Sequence, residues 1–293
     1  MLIGYILAFI ASIFFTLYII PKKISKQSPL EYIYFMGIGF FVTGVIMLIA
    51  HYLLSDNPES FYSPYLFAGA LNGILYTTGF ILFFTAIDKI GMSKTNQWKN
   101  IQGPVGATLM LILFAEFLTT NFIYIILAII FIFISASLFT VKDENEIKID
   151  SKYIIYPIIS GIFFGTSAFL QKYLIIHGFL YTGQLYNSLF VLITIIIYLI
   201  FTKTKINKIT DPDSLLGILG GIILYFTFYL YIISLRYIEG SISYMIAQLN
   251  AVWTVIVGII IFKEINFKKH YLRIIIGIMF AILGIIMLLF AQK

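Results

Sequence analysis

The chain is a succession of apolar segments, most of them about as long as a bilayer is thick. A helix rises 1.5 Å per residue, so about 20 apolar residues cross a hydrocarbon core of roughly 30 Å. Ten such segments are expected, over roughly 2–20, 31–54, 62–87, 93–114, 120–141, 153–176, 180–202, 214–235, 240–262 and 271–291. In hydrocarbon the backbone must satisfy its own hydrogen bonds, which restricts spanning structures to helices and closed barrels. Segments this long and this continuously apolar select helices. The expected fold is an all-α integral membrane protein with ten transmembrane helices. Charged residues make up 11% of the chain, against about 25% in soluble domains. The start lacks the basic region and small-residue cleavage site of a signal peptide, so residue 1 is taken as the beginning of the first helix.

The second constraint is internal. Gly69, Leu71, Gly73 and Ile74 match Gly217, Leu219, Gly221 and Ile222, and Phe80 and Leu82 match Phe228 and Leu230. Ile90, Ser93, Phe114 and Glu116 match Ile238, Ser241, Phe262 and Glu264 at the same offset of 148. Near the start the offset becomes 149, pairing Ile13-Phe14-Phe15 with Ile162-Phe163-Phe164 and Lys23 with Lys172. The chain therefore divides into two five-helix halves, 1–145 and 146–293, joined by the polar stretch Lys142–Lys152. Five is odd, so the second half enters the membrane from the other side. An inverted repeat of this kind is a transporter signature, with the site at the repeat interface near the midplane.

Basic residues cluster in the connections after helices one, three, five, seven and nine. The connections after two, four and six carry no Lys or Arg, and the one after eight carries only Arg236. Basic loops stay cytoplasmic, so both termini are expected outside a multi-pass protein of the cell membrane. The net charge of +6 then reports orientation rather than nucleic-acid binding.

With no cysteine, thiol catalysis and thiolate metal sites are excluded. His51, His177 and His270 sit near helix ends and form no ligand cluster. No nucleophile–base pair, metal motif or phosphate loop is present, so no enzyme, cofactor or metal is expected. Glu31, Asp88, Glu116, Glu239 and Glu264 all lie at helix ends, and no carboxylate is mid-span to trade a proton against an organic cation.

Polar groups inside spans are costly and mark function. Asn96, Lys99, Asn100 and Gly103 share one helix face. At the 148 offset Asn100 falls on Gln248 and Gln102 on Asn250. Lys99 is a candidate donor to a substrate oxygen, or else a structural or snorkelling lysine. Asn96, Asn100 and Gln248 both donate and accept, as hydroxyls require, with Tyr244 one turn before Gln248; interhelical bonding is the alternative. Asn72 with Tyr76, Tyr225 with Tyr229, and Gln171 complete the substrate-binding candidates. Gln102 and Asn250 lie about 100° off the main polar face and are expected to be packing groups. Lys172 and Lys23 are expected as interfacial anchors, and Trp98 and Trp253 either line the site or face lipid.

The ten helices, the five-plus-five repeat and the Glu after the fourth helix of each half resemble the drug/metabolite transporter superfamily. Within it, Ile90-Gly91-Met92-Ser93-Lys94 is similar to the Ile-Gly-Val-Ser-Arg of the glucose/ribose porter branch. The stretch from Met245 through Gln248 and Gly258 to Lys263-Glu264 resembles that branch's Ser-Leu-Ser-Gln … Gly-Gly-Ile-Phe-Ile-Leu-Lys-Glu. Pro21-Lys22-Lys23 resembles the Val-Pro-Val-Lys-Lys of related proteins. The resemblance implies sugar transport by alternating access through a cavity between the repeats. Lys99 instead favours an anionic metabolite, a phosphosugar or sugar acid, and the superfamily also admits an ion channel or divalent-cation transporter. Expected partners are a small-molecule substrate and the lipid bilayer, with a homodimer left open and no nucleic acid.

Overall fold

The computed structural model describes residues 1–138, 151–262 and 267–291. The linker from Lys142 to Asp150, the Lys148 within it, and the Lys263-Glu264 pair lie outside the described residues. Thirteen α-helices are described: α1 Leu2–Leu17, α2 Ile20–Ile24, α3 Pro29–Leu54, α4 Phe67–Ile90, α5 Met92–Lys99, α6 Gln102–Leu113, α7 Phe122–Leu138, α8 Ile155–Ile176, α9 Tyr181–Thr202, α10 Pro212–Ser234, α11 Gly240–Ala247, α12 Asn250–Ile260 and α13 Phe267–Ala291.

Eight of the expected ten segments are long and apolar enough to cross a membrane among the described residues; two are shorter apolar helices, Gln102–Leu113 and Phe122–Ser135. The expected fourth segment falls short because its first two turns, α5, carry Lys94, Asn96, Gln97 and Lys99. Aliphatic and aromatic side chains such as Leu54, Phe67, Phe201 and Ile260 stand exposed on the outside of the bundle, as a lipid-facing surface requires. The chain is an all-α, multi-pass membrane protein.

Two helices expected to be continuous are not. The segment 93–114 is interrupted at Asn100–Ile101, and 240–262 is interrupted at Gln248–Leu249. These interruptions are equivalent at the 148 offset. Each is a local tightening: Gly103 N–H donates to the Asn100 carbonyl at 3.1 Å, and Ala251 N–H to the Gln248 carbonyl at 3.1 Å. Bonds three residues apart are the 3-10 pattern, which inside a long helix often marks a hinge.

The packing partners also exchange under the offset. Helix α4 packs on α8 and α9, and its register mate α10 packs on α1 and α3. Glycines permit both approaches. A Cβ on Gly73 would lie 2.4 Å from the Asn187 carbonyl oxygen on α9. A Cβ on Gly221, the mate of Gly73, would lie 2.0 Å from the Met36 carbonyl oxygen on α3. Neither distance is compatible with a side chain, so backbone contact there depends on glycine.

The described lysine-bearing connections after α2, α4 and α9 gather at one end. There Lys22 Nζ pairs with Asp88 at 3.3 Å, Gln27 Nε2 donates to Ser214 Oγ at 3.0 Å, and Asn207 N–H donates to Glu31 at 2.8 Å. At the opposite end Glu59 caps α9, accepting from the backbone N–H groups of Leu180, Tyr181 and Thr182. That end also holds both described chain termini: Gly4 abuts Tyr237 and Ile238, and Asn121 N–H donates to the Ala291 carbonyl.

Candidate functional site

At the centre of the bundle the side chains leave a cavity of about 20 Å³, room for about one water. Its wall is built from α1, α4, α5, α6, α8, α10, α11 and α12. Phe15, Tyr18, Tyr76, Phe80, Phe164 and Phe228 supply rings, and Lys99, Gln102, Tyr244, Gln248 and Asn250 supply polar atoms. A monosaccharide does not fit this volume, so admitting one requires the rings to move apart.

The polar groups are tied to the two helix interruptions. Gln102 Nε2, on the first residue of α6, donates to Gln248 Oε1 at 2.8 Å, linking one interruption to the other. Gln248 Nε2 donates to the Tyr244 carbonyl at 3.2 Å, and Asn250 Nδ2 to the Ala247 carbonyl at 2.9 Å. Both carbonyls belong to the last turns of α11, where the helix ladder is disturbed. The amides therefore hold the interruption open while presenting their remaining atoms to the cavity. Thr16 Oγ1 donates to the Asn250 carbonyl at 3.0 Å and braces the same turn from α1. The Tyr244 hydroxyl donates to the Phe164 carbonyl at 3.2 Å.

Lys99 closes α5 and is almost fully buried. Its ammonium lies 4.7 Å from the Phe83 ring centre and 5.9 Å from that of Phe164. Rings favour a cation electrostatically, but no carboxylate is paired with Lys99 among the described residues. The bundle's other buried lysines differ: Lys22 is paired with Asp88, and Lys172 with Glu116 and Glu239.

Of the residues the sequence singled out, Tyr76, Lys99, Tyr244 and Gln248 line the cavity. Asn100 does not. It faces a smaller pocket of about 10 Å³ on the far side of Gln248, with Gly103 and Ile132. Asn96 is buried but not on the wall, and the Oδ1 atoms of Asn96 and Asn100 have no hydrogen-bond partner among the described residues. Both polar atoms of Asn72 and of Gln171 are buried and without a partner among the described residues, and neither residue is on the wall. Tyr225 is buried against Phe40, and the Tyr229 hydroxyl lies 3.1 Å from that of Tyr181, both away from the cavity. Trp98 is exposed, whereas Trp253 Nε1 donates to Ser12 at 3.0 Å. Lys172 is not an interfacial anchor, because its ammonium is buried in an ion-pair cluster.

Gln102 and Asn250, expected as packing groups, are on the cavity wall. A 3-10 turn has 3.0 residues per turn rather than 3.6, so each tightened residue advances about 20° further, and the helical projection misplaces every residue beyond the turn. Apart from Tyr76, the rings of the wall are not among the sequence candidates, although the offsets of 148 and 149 carry their signal. Phe15 and Phe164 are mates at offset 149; Tyr76 and Leu224, Phe80 and Phe228, and Gln102 and Asn250 are mates at 148. All eight line the cavity. The matching positions in the two halves point at the same space.

Comparison with known proteins agrees with this architecture. A solved crystal structure, described only as that of a protein, superposes over 97% of this chain and 96% of its own with a TM-score of 0.71. At 10% identity it shares the fold alone. No protein of curated function matches the chain. The family model for sugar transport protein matches residues 52–291, which takes in most of the cavity wall and both interruptions. The chain belongs to the sugar transport protein family, in the glucose/ribose porter branch, and is a membrane transporter rather than an enzyme.

Proposed function

We propose that the central cavity binds a sugar and carries it across the membrane by alternating access. One observation supports this above the others: the wall joins rings and amides contributed in matched pairs from the two halves of the sequence. Rings stack on the apolar faces of a sugar, and amides both donate to and accept from its hydroxyls. In this reading the segments 1–145 and 146–293 are inverted repeats, ten helices cross the membrane, and the lysine-rich end is cytoplasmic with both termini outside. The exchange of packing partners and the equivalent interruptions support the repeat. The positive-inside rule supports the orientation. The substrate set is Tyr76, Lys99, Tyr244 and Gln248, joined by Gln102 and Asn250. Asn72, Asn96, Asn100, Gln171, Tyr225 and Tyr229 serve behind the wall or along the approach.

A second reading is favoured by Lys99. A buried ammonium with no carboxylate partner among the described residues is a poor resting arrangement, and an anionic sugar would complete it. The cavity wall offers one cation, which matches the single charge of a sugar acid better than the double charge of a phosphosugar.

Thermal stabilisation of the purified protein by glucose, ribose, glucuronate and glucose 6-phosphate tests both readings. A neutral sugar that stabilises wild type and Lys99→Gln alike supports the first. Glucuronate stabilising wild type alone supports the second. Stabilisation by none of the four counts against a sugar site.

A further inference from the structure

A second polar constellation lies at the end opposite the lysine-rich one. Glu116, just beyond α6, is buried, and its carboxylate accepts from the Gly240 and Ser241 backbone N–H groups at 3.0 and 2.9 Å. These are the first two N–H groups of α11, whose N-terminus favours a negative charge. Lys172 of α8 donates to the same carboxylate and to Glu239 at 3.0 Å, while Thr119 Oγ1 bonds the other Glu239 oxygen at 2.9 Å. Space around the cluster is filled. A Cβ on Gly240 would lie 2.6 Å from Lys172 Cδ and 2.7 Å from Met110 Sδ.

The cluster joins three cavity-forming helices by their ends. Helix α11 carries Tyr244 one turn below Gly240, α6 carries Gln102, and α8 carries Phe164 about two turns below Lys172. Separating α6, α8 and α11 would open the cavity towards this end. Their separation breaks the carboxylate bonds to α11 and the pairing of Lys172.

Asn72 and Gln171 lie on the way. Tyr76 packs on Phe164, and Tyr65 on Tyr173 and His177, so α4 and α8 run antiparallel. That register puts Asn72 and Gln171 within about a turn of each other, between the cavity and the cluster. All four of their side-chain polar atoms are buried without a partner among the described residues. Buried amides in that condition are unfavourable, and a conformation that hydrates them would relieve the cost.

We propose that Glu116, Lys172 and Glu239 form the latch that closes the cavity at this end, and that its release opens a polar route past Asn72 and Gln171. These are positioning residues: they hold α11 against α6 and α8 and do not touch the solute. The latch assumes that the cavity is the transport site, but its test needs no solute, so a wrong assignment of the sugar leaves the test intact.

The chain has no cysteine, so a single Asn72→Cys reports access without background. In proteoliposomes, its labelling by an impermeant thiol reagent is expected to be slow, and at least about tenfold faster when Lys172→Met is added. Glu239→Gln, which leaves the Glu116 cap in place, should accelerate labelling by a smaller factor and is the second variant should Lys172→Met not fold. Ser214→Cys, buried at the lysine-rich end, is the control and should label no faster in either background. Unchanged labelling of Asn72→Cys overturns the latch. Equal acceleration of Asn72→Cys and Ser214→Cys overturns it too, because that is general loosening.

Discussion

The two interrupted helices, α5–α6 and α11–α12, tighten at positions 148 residues apart but carry different chemistry into the cavity. Around the first stand Lys99, Asn100 and Gln102; at the same places around the second stand Ala247, Gln248 and Asn250. One tyrosine, Tyr244, answers Asn96. The frame is thus shared, with rings, glycines and amides at matched positions, whereas Lys99 and Tyr244 have no like residue at the mate position. Matched positions make the shape of the cavity, and in the proposed reading the unmatched ones, Lys99 and Tyr244 above all, select what enters it. Alternating access, as proposed, needs the first property, and discrimination among solutes needs the second.

The matched rings should behave alike. Phe80→Ala and Phe228→Ala each remove a fully buried ring, and each should lower unfolding stability by about 3–5 kcal/mol. Denaturation in detergent measures this, and a large effect at only one would break the equivalence of the halves. The matched glycines come next. Gly73→Ala and Gly221→Ala force a methyl group onto backbone and should each cost about 1–3 kcal/mol, with Gly221 the more sensitive because its neighbour is closer. A neutral Gly221→Ala would mean that α3 and α10 yield freely.

The amides, matched in position but bonded differently, should show smaller and unequal effects. Gln248 bonds both Gln102 and the Tyr244 carbonyl, so Gln248→Leu breaks two bonds where Gln102→Leu breaks one. At about 0.5–1.5 kcal/mol per bond, thermal unfolding should rank Gln248→Leu below Gln102→Leu. The reverse order would shift the weight of the site to the first interruption.

Much of this was legible in the sequence. Apolar length marks eight helices of spanning length but not the two interruptions, and the 148 offset marks Phe80, Phe228, Gln102 and Asn250 as mates. Lys99, Gln248, Tyr244 and Tyr76 stand out as polar or aromatic groups in apolar segments, and all four line the cavity. The failures have physical causes. Helical projection assumes 3.6 residues per turn and cannot foresee a 3-10 interruption, so Gln102 and Asn250 were put aside and Asn100 was placed on the cavity. Burial of Tyr225 and Asn72 away from the wall depends on which neighbour each helix face meets, and periodicity carries no such information. Lys172 looked like an anchor because its partners, Glu116 and Glu239, are 56 and 67 residues away.

The central claim is that sugar passes through the cavity between the two interruptions. Uptake of radiolabelled glucose, ribose and glucuronate into proteoliposomes tests it most directly, with wild type, Gln248→Ala and the outward-facing Phe201→Ala compared side by side. Wild type and Phe201→Ala should take up at least one of the three at similar rates, and Gln248→Ala should take up that sugar at least about tenfold more slowly. Equal uptake by Gln248→Ala, or uptake of none of the three by wild type, would contradict the account.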